Sequence, residues 1–214
     1  MVLFDYVFLL IFVVKLNECL IPLNGAKRNE TMCERMVRKS YFDMDLVVGD
    51  PWRILYTWNM SLNEKCVDIT FANATNKVIN EVWNDMYEYL EEQPLWAGAT
   101  LHMTMGPTRY ELLMFAQPGS AGAFTAVPNI VKKASMAPPR HSVPLLTFYL
   151  TLVDKGRFLI MIDCRIGVGS LSERSKSFES SKKDVMALVA ELDLGTGHPA
   201  CTEQEKEFLQ DHLD

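Results

Sequence analysis

Residues 49–59 of the chain read GDPWRILYTWN. From Trp52 to Trp58 large apolar side chains alternate with polar ones, and Leu55 is the single exception. Because successive side chains of a strand point to opposite faces of a sheet, this alternation predicts a strand with one buried face. The Gly49-Asp50-Pro51 run before it is typical of a turn, so we expect the strand to begin at Trp52.

Much of the remaining chain also divides into short strands separated by turn residues. The predicted strands cover residues 65–71, 97–106, 109–117, 145–154, 157–167 and 170–177. Gly106-Pro107 joins one pair of strands, and Lys155-Gly156 joins the two most apolar strands in a tight hairpin. Residues 118–144 contain several glycines and prolines, and we predict a long loop for them.

Residues 77–92 (KVINEVWNDMYEYLEE) give conflicting signals. Their apolar residues recur at helical spacing, which favours an amphipathic helix. A meander made of the other predicted strands nevertheless needs a partner strand at this position, and tertiary context often overrides a local pattern. We therefore predict a strand for residues 77–86.

The apolar side chains of residues 185–192 recur at helical spacing after Ser181, and Gly195 follows them as a stop signal. The predicted order is therefore a series of sequential strands with one late helix. This order favours an all-β fold, an eight-stranded up-and-down antiparallel barrel with one C-terminal α-helix, over a sandwich with Greek-key crossings.

The composition suits one barrel domain. Of the 214 residues, 49% are hydrophobic, which is enough to bury a substantial core. The 27 Asp and Glu residues outnumber the 21 Lys and Arg residues, so that the formal net charge is −6. This charge balance argues against a nucleic-acid partner.

The N-terminus predicts a secreted, extracellular protein. Residues 6–14 form an apolar run of nine residues, about half of what a membrane span needs, and we interpret them as the core of a signal peptide. Residues 1–25 are then the signal peptide, with cleavage between residues 19 and 25, and residues 26–214 are the single domain. The alternative interpretation is a buried N-terminal strand.

Glycosylation triplets and cysteines agree with secretion. Asn29, Asn59 and Asn73 each begin an N-glycosylation triplet without proline in the middle. Removal of the leader leaves an even set of cysteines, which we expect to form two disulfides in an oxidising compartment. These cysteines are Cys33, Cys66, Cys164 and Cys201, and their spacing alone permits three pairings. No CxxC or HxxxH pattern is present, so we predict no metal site.

Three motifs stand in the same order along the chain. Gly49-Asp50-Pro51-Trp52 opens the first strand and Cys66 follows it, residues 153–158 (VDKGRF) form a hairpin with Cys164 beyond it, and Arg174 lies on the last predicted strand. Together they resemble the motifs of the lipocalins, in particular of the insect bilin-binding, insecticyanin-like type. One residue is inserted in the first motif, and the second keeps only its aspartate and its last aromatic residue.

The lipocalin resemblance implies a specific closed end of the barrel. Trp52 would plug this floor, with the guanidinium of Arg174 over its ring as a cation–π partner. The first strand would carry Ile54 and Tyr56 inward and bring Trp58 toward the opposite rim. The resemblance also implies the disulfide pairs Cys33–Cys164 and Cys66–Cys201.

An eight-stranded barrel leaves an interior wide enough for one small ligand. We therefore predict a binding or transport protein for a small hydrophobic molecule, and the resemblance implies a bilin or a similar pigment or lipid. Haem held by His102 is an alternative. The candidate lining residues, chosen as large side chains on segments that can face inward, are Tyr56, Trp83, Tyr87, His102, Met103, Met105, Tyr110, Leu112 and Phe148. His102 and Met103 are neighbours, so only one of them can face inward.

The alternative function is that of an interaction protein, in which the barrel is a scaffold. Its rim or the 118–144 loop would bind a protease or a receptor, and the same loop is equally suited to cover the barrel as a lid. We do not expect an enzyme, because GxSxG, Walker, HExxH and paired-carboxylate motifs are absent and the cysteines are expected to be paired. Asp193, Gly195, Gly197 and His198 are interpreted as a turn that ends the helix.

Overall fold

The computed structural model describes residues 32–37, 41–62, 66–106, 110–131, 142–177 and 180–201. The predicted signal peptide and Asn29 lie outside these residues, and so do residues 132–141 of the predicted loop. Two short helices, α1 (Met32–Val37) and α2 (Met44–Val47), precede the sheet.

A single antiparallel sheet forms most of the described chain. Its strands are β1 (Trp52–Trp58), β2 (Asp68–Asn73), β3 (Ala99–Met105), β4 (Tyr110–Ala116), β5 (Ala123–Pro128), β6 (Leu146–Val153), β7 (Phe158–Asp163), β8 (Val168–Arg174) and β9 (Gly197–Pro199). Consecutive strands from β2 to β8 pair with each other, and β1 pairs with both β8 and β2. The sheet therefore closes, which confirms the predicted eight-stranded up-and-down barrel.

The prediction of a strand for residues 77–86 is wrong, because this segment is helix α3 (Asn76–Met86). The Thr75 hydroxyl accepts a hydrogen bond from the Val78 backbone N–H over 3.3 Å and caps the helix. Val82 and Met86 are fully buried against the outer face of the barrel. The local helical period decided the structure here.

The eighth strand of the barrel is instead β5, inside the segment that was predicted to be a loop. It pairs with β4 on one side and β6 on the other. Gly119 and Gly122 precede it, both with positive φ, and Pro128 ends it. Because glycine and proline are typical of turns, they led to the prediction of a loop where a short strand lies. The predicted loop is therefore a barrel strand over residues 123–128.

A β-bulge divides β1 into two halves with opposite orientation. The register of β1 against β8 shifts between Ile54 and Tyr56, so that Leu55 is the extra residue. Ile54 faces the barrel interior, whereas Tyr56 and Trp58 belong to a cluster outside the barrel. The expectation that Tyr56 points inward is wrong, because the bulge reverses the alternation after Ile54.

Helix α4 (Lys182–Leu192) covers part of the outer face of the barrel, as Val185 and Val189 pack on that outer cluster. The Ser181 hydroxyl and the Asp184 side chain form a reciprocal capping box at its start. The helix ends where Asp193 adopts the left-handed conformation, two residues before Gly195. Gly197 and His198 lie in β9, which pairs with the second half of β1.

Two disulfides tie the ends of the described chain to the barrel. Cys33 of α1 is bonded to Cys164 after β7, and Cys66 before β2 is bonded to Cys201 after β9. The pairing is the one that the lipocalin resemblance implied. None of the helices in the described part of the chain has the length and hydrophobicity that a membrane-spanning helix requires.

Candidate ligand-binding site

One end of the barrel is closed at Trp52, where the lipocalin resemblance implied a floor. Trp52 is fully buried, and its indole N–H donates to the Val47 carbonyl of α2 over 2.9 Å. The guanidinium carbon of Arg174 lies 4.5 Å from the centroid of the Trp52 ring. Arg174 also donates a hydrogen bond to the Leu46 carbonyl, so its guanidinium is held by both the Trp52 ring and a backbone oxygen.

Strand register identifies the side chains that face the barrel interior. Starting from Ile54 and its partner Ser172, alternate residues of each strand point inward. In the half of the interior away from Trp52, which we call the distal half, the inward residues are Thr57, Met103, Met105, Tyr110, Leu112, Ala126, Pro128, Leu146, Phe148, Met161, Asp163, Val168 and Ser170. Most of them are apolar, so the surface suits an apolar ligand.

The two halves of the interior differ in how completely they are filled. Near the floor, Ile69, Leu101 and Leu150 are fully buried within the interior cluster. In the distal half, Met161 faces inward but is only partly buried, whereas its outward neighbours Ile160 and Ile162 are 0% exposed. A strand whose inward side chain is the more accessible one borders an incompletely filled interior.

Five predicted lining residues face this interior. Met103 and Leu112 are register partners, and so are Met105 and Tyr110, on the neighbouring strands β3 and β4. Phe148 reaches the interior from β6. Leu146, Met161, Asp163 and Ser170 were missed by sequence reasoning. The alternation of Leu159, Met161 and Asp163 on one side of β7 was the available signal.

The other four predicted lining residues lie outside the barrel. Trp83 on α3 and Tyr87, the residue that follows the helix, are 40% and 47% exposed, with ring centroids 5.1 Å apart. Tyr56 packs edge-on against Trp58 at 5.3 Å in the outer cluster. His102 also points outward, because its register places it opposite the outward-facing Leu113.

His102 belongs to a polar network between the barrel wall and α3. Its Nε2 lies 2.6 Å from the Glu111 Oε1, and the second Glu111 oxygen accepts from the Asn129 amide over 3.0 Å. The same amide donates to Asp85 of α3 over 3.0 Å. The network explains His102 as a structural side chain. A haem in the interior cannot be held by His102, since this side chain is on the opposite face of β3.

The interior also contains a buried carboxylate. Asp163 is 2% exposed, and its Oδ1 accepts the backbone N–H groups of Arg165 and Ile166 over 2.9 and 3.4 Å. Its Oδ2 has no hydrogen-bond partner. Burial raises the pKa of Asp163 above 3.8, and the two backbone hydrogen bonds and the Arg165 charge oppose this shift.

A serine hydroxyl near Asp163 has no partner either. Ser170 is 3% exposed, and its Oγ makes no hydrogen bond. Among the described residues, two further buried side-chain atoms lack a partner, Trp58 Nε1 and Asn129 Oδ1, and both side chains lie outside the barrel. Thr57, on the inward face beside Ser170, donates to the Met60 carbonyl over 2.7 Å.

Two of the predicted glycosylation sites fall within the described residues. Asn73 is exposed at the end of β2. Asn59 is exposed as well, and its side-chain amide donates to the Gly167 carbonyl over 2.8 Å. In the described residues no group of three or more His, Cys, Asp or Glu side chains is placed to hold a metal ion.

No protein-family model matches the chain, and no curated protein does. Among solved structures, it is similar to a mutant of LTBP1 in complex with leukotriene C4, with 11% identity and a TM-score of 0.42. That similarity covers 84% of this chain and 100% of the LTBP1 chain.

Proposed function

We propose that the protein is a secreted carrier that holds one small, mainly apolar molecule in the distal half of its barrel. The observation that carries this proposal is the accessibility of Met161, an inward residue between two fully buried outward neighbours. It supports an interior that the protein's own side chains do not fill. Two disulfides agree with an extracellular location, because such bonds persist in oxidising compartments.

The apolar lining is sufficient for useful affinity. At about 25 cal/mol per Å², a ligand that buries about 300 Å² of apolar area gains about 7 kcal/mol before its entropic costs. A gain of about that size is enough for binding near the micromolar range. No covalent attachment or metal is needed for a carrier of this kind.

A bilin or related pigment is the specific ligand that the lipocalin resemblance favours. Protein purified from its natural source should then absorb visible light, with a bound chromophore released by organic extraction. A colourless protein that carries an extractable lipid would contradict the pigment and support the broader carrier function.

Treatment with an N-glycosidase would test glycans at Asn29, Asn59 and Asn73 in the same material by loss of mass.

The carrier function is testable with an uncharged fluorescent probe, N-phenyl-1-naphthylamine. Leu146 and Thr147 are neighbours on β6 that are both partly buried, but Leu146 faces inward and Thr147 outward. We expect Leu146→Trp to fill the distal half and weaken probe binding at least tenfold. Thr147→Trp, the matched control, should bind as the wild type does. Equal binding by both variants would contradict an interior site.

An interaction protein is the second candidate. The adjacent exposed rings of Trp83 and Tyr87 favour it, because aromatic side chains are enriched in protein interfaces. Native mass spectrometry after gentle extraction separates the two functions. A small bound molecule favours the carrier, whereas an empty barrel with a stoichiometric protein partner that is lost in Trp83→Ala favours the interaction protein.

A further inference from the structure

The distal half presents two unsatisfied oxygens that an apolar ligand alone would leave unpaired. Asp163 Oδ2 and Ser170 Oγ are both buried without a hydrogen-bond partner. Leaving a buried polar atom unpaired costs free energy, and the cost is larger for a charged group. Natural interiors usually pair such atoms, so two of them on one inward surface indicate a place for a ligand's polar group.

Strand register places the two side chains close together. Asp163 of β7 is the register partner of Val168, and Ser170 stands two residues further along β8 on the same face. Diagonal neighbours of this kind have backbones about 7–8 Å apart, a separation that their side chains can narrow. One small group between them can therefore accept or donate hydrogen bonds on both sides.

Among the described residues, the inward side chains of the distal half include no cation beside Asp163. Arg174, the cation at the floor, is six residues from Val168 along β8, about 20 Å away. It is already engaged by Trp52 and the Leu46 carbonyl. Arg165 is exposed at the turn, where its charge acts on Asp163 from outside the interior, and its backbone N–H donates to the other Asp163 oxygen.

We propose that the ligand carries a protonated amine, which Asp163 Oδ2 and Ser170 Oγ bind while the apolar remainder lies against Phe148 and Met161. This inference rests on the proposed carrier function and specifies the class of its ligand. An ammonium group supplies three hydrogen-bond donors and a positive charge on the inward side of Asp163. An alcohol supplies one donor and no charge, and a carboxylate ligand would be repelled.

Met161 provides the access that the amine needs. Both oxygens are buried, so a ligand reaches them only after a side chain moves. Met161 is opposite Ser170 and two residues before Asp163 on the same face. Its unbranched thioether side chain can change rotamer at small cost, because methionine adapts to irregular spaces more readily than branched side chains.

Three ligands of equal length test the inference: octylamine, 1-octanol and octanoate, titrated by calorimetry into the disulfide-bonded protein at pH 7.5. We expect octylamine to bind at least tenfold more tightly than either of the others. Asp163→Asn should weaken octylamine at least tenfold and leave octanol within threefold, since the asparagine Oδ1 keeps the bonds to Arg165 and Ile166. Ser170→Ala should weaken octylamine at least threefold. Ser172→Ala, one inward position nearer the floor on the same strand, is the matched control and should have no effect.

The outcomes separate this inference from the carrier function. Octanol binding as tightly as octylamine, or a preference for the amine that persists in Asp163→Asn, would overturn the amine site and leave an apolar carrier. No binding of any of the three, together with no binding of the uncharged probe, would overturn the carrier function itself. If Asp163→Asn does not fold, the wild-type series and Ser170→Ala decide: octylamine affinity unchanged in Ser170→Ala, or equal affinities in the wild type, overturns the amine site.

Discussion

The guanidinium of Arg174 lies over the ring of Trp52, at 4.5 Å from guanidinium carbon to ring centroid, and joins the end of β8 to the start of β1. Since Trp52 is fully buried and also bonded to α2 through Val47, the pair fixes the closed end of the barrel. The contact links the two strands at which the sheet closes.

Removing the Arg174 side chain should destabilise the protein. Arg174→Ala loses the cation–π contact and the hydrogen bond to the Leu46 carbonyl, and we expect the free energy of unfolding to fall by about 1–2 kcal/mol. Urea unfolding followed by tryptophan fluorescence measures this change. Lys176→Ala is the matched control, because Lys176 pairs with Asp50 in solvent, and it should leave the urea midpoint unchanged.

Replacement of the two adjacent residues at the end of α3 should distinguish its buried side from its exposed side. Met86→Ala is expected to lower the stability by about 2–5 kcal/mol, because Met86 is fully buried against the barrel wall. Tyr87→Ala should change it little, because that ring is 47% exposed. Thermal melts measure both changes in stability. A larger loss of stability in Tyr87→Ala than in Met86→Ala would contradict this orientation of the helix.

Loss of either disulfide should reduce stability strongly. The bonds Cys33–Cys164 and Cys66–Cys201 span 131 and 135 residues of sequence. In the chain-entropy model, closing loops of this length is worth up to about 5 kcal/mol each. Paired Cys→Ser replacement should therefore lower the urea midpoint for each bond. Non-reducing peptide maps of the wild type should show these two links, and a Cys33–Cys66 peptide would refute the pairing.

Stability should depend on pH through Asp163. Burial raises the pKa of this carboxyl in the folded state above 3.8, so the folded protein binds its proton more tightly than the unfolded chain does. The unfavourable contribution of Asp163 is therefore absent below pH 3.8, grows as the pH rises through the folded-state pKa, and is complete above it. Asp163→Asn removes this contribution, so its stability relative to the wild type should be greater at pH 7.5 than at pH 4. A difference that does not change with pH would contradict a buried, titrating Asp163.

Sequence reasoning predicted the barrel but assigned two of its segments wrongly. Both mistakes came from giving one kind of signal too much weight. For residues 77–86 the strong helical period was set aside to supply an eighth strand. For residues 123–128 the flanking glycines and Pro128 concealed a strand that is inward at Phe124 and Ala126. The strand count was right because the two mistakes compensated each other.

The residues that line the interior were only partly predictable from the sequence. Met103, Met105, Tyr110, Leu112 and Phe148 were chosen correctly as residues that face inward. Tyr56 was wrongly predicted to face inward, because the bulge at Leu55 depends on how β1 pairs with β8. In the sequence its only sign is that Leu55 interrupts the alternation. Asp163 was overlooked because the candidate lining residues were chosen as large side chains.

The short strand β9 has a consequence for how the protein behaves when it is reduced. β2 pairs with only Trp52 and Arg53 of β1, and β9 occupies the same edge from Tyr56 to Trp58. Gly197 permits this approach, because a Cβ there would collide with the Thr57 carbonyl. The Cys66–Cys201 bond holds β9 on this edge. If the bond is reduced and β9 dissociates, unpaired backbone donors and acceptors of β1 become exposed, and strands of neighbouring molecules can pair with them. Thiol treatment should therefore promote self-association before global unfolding.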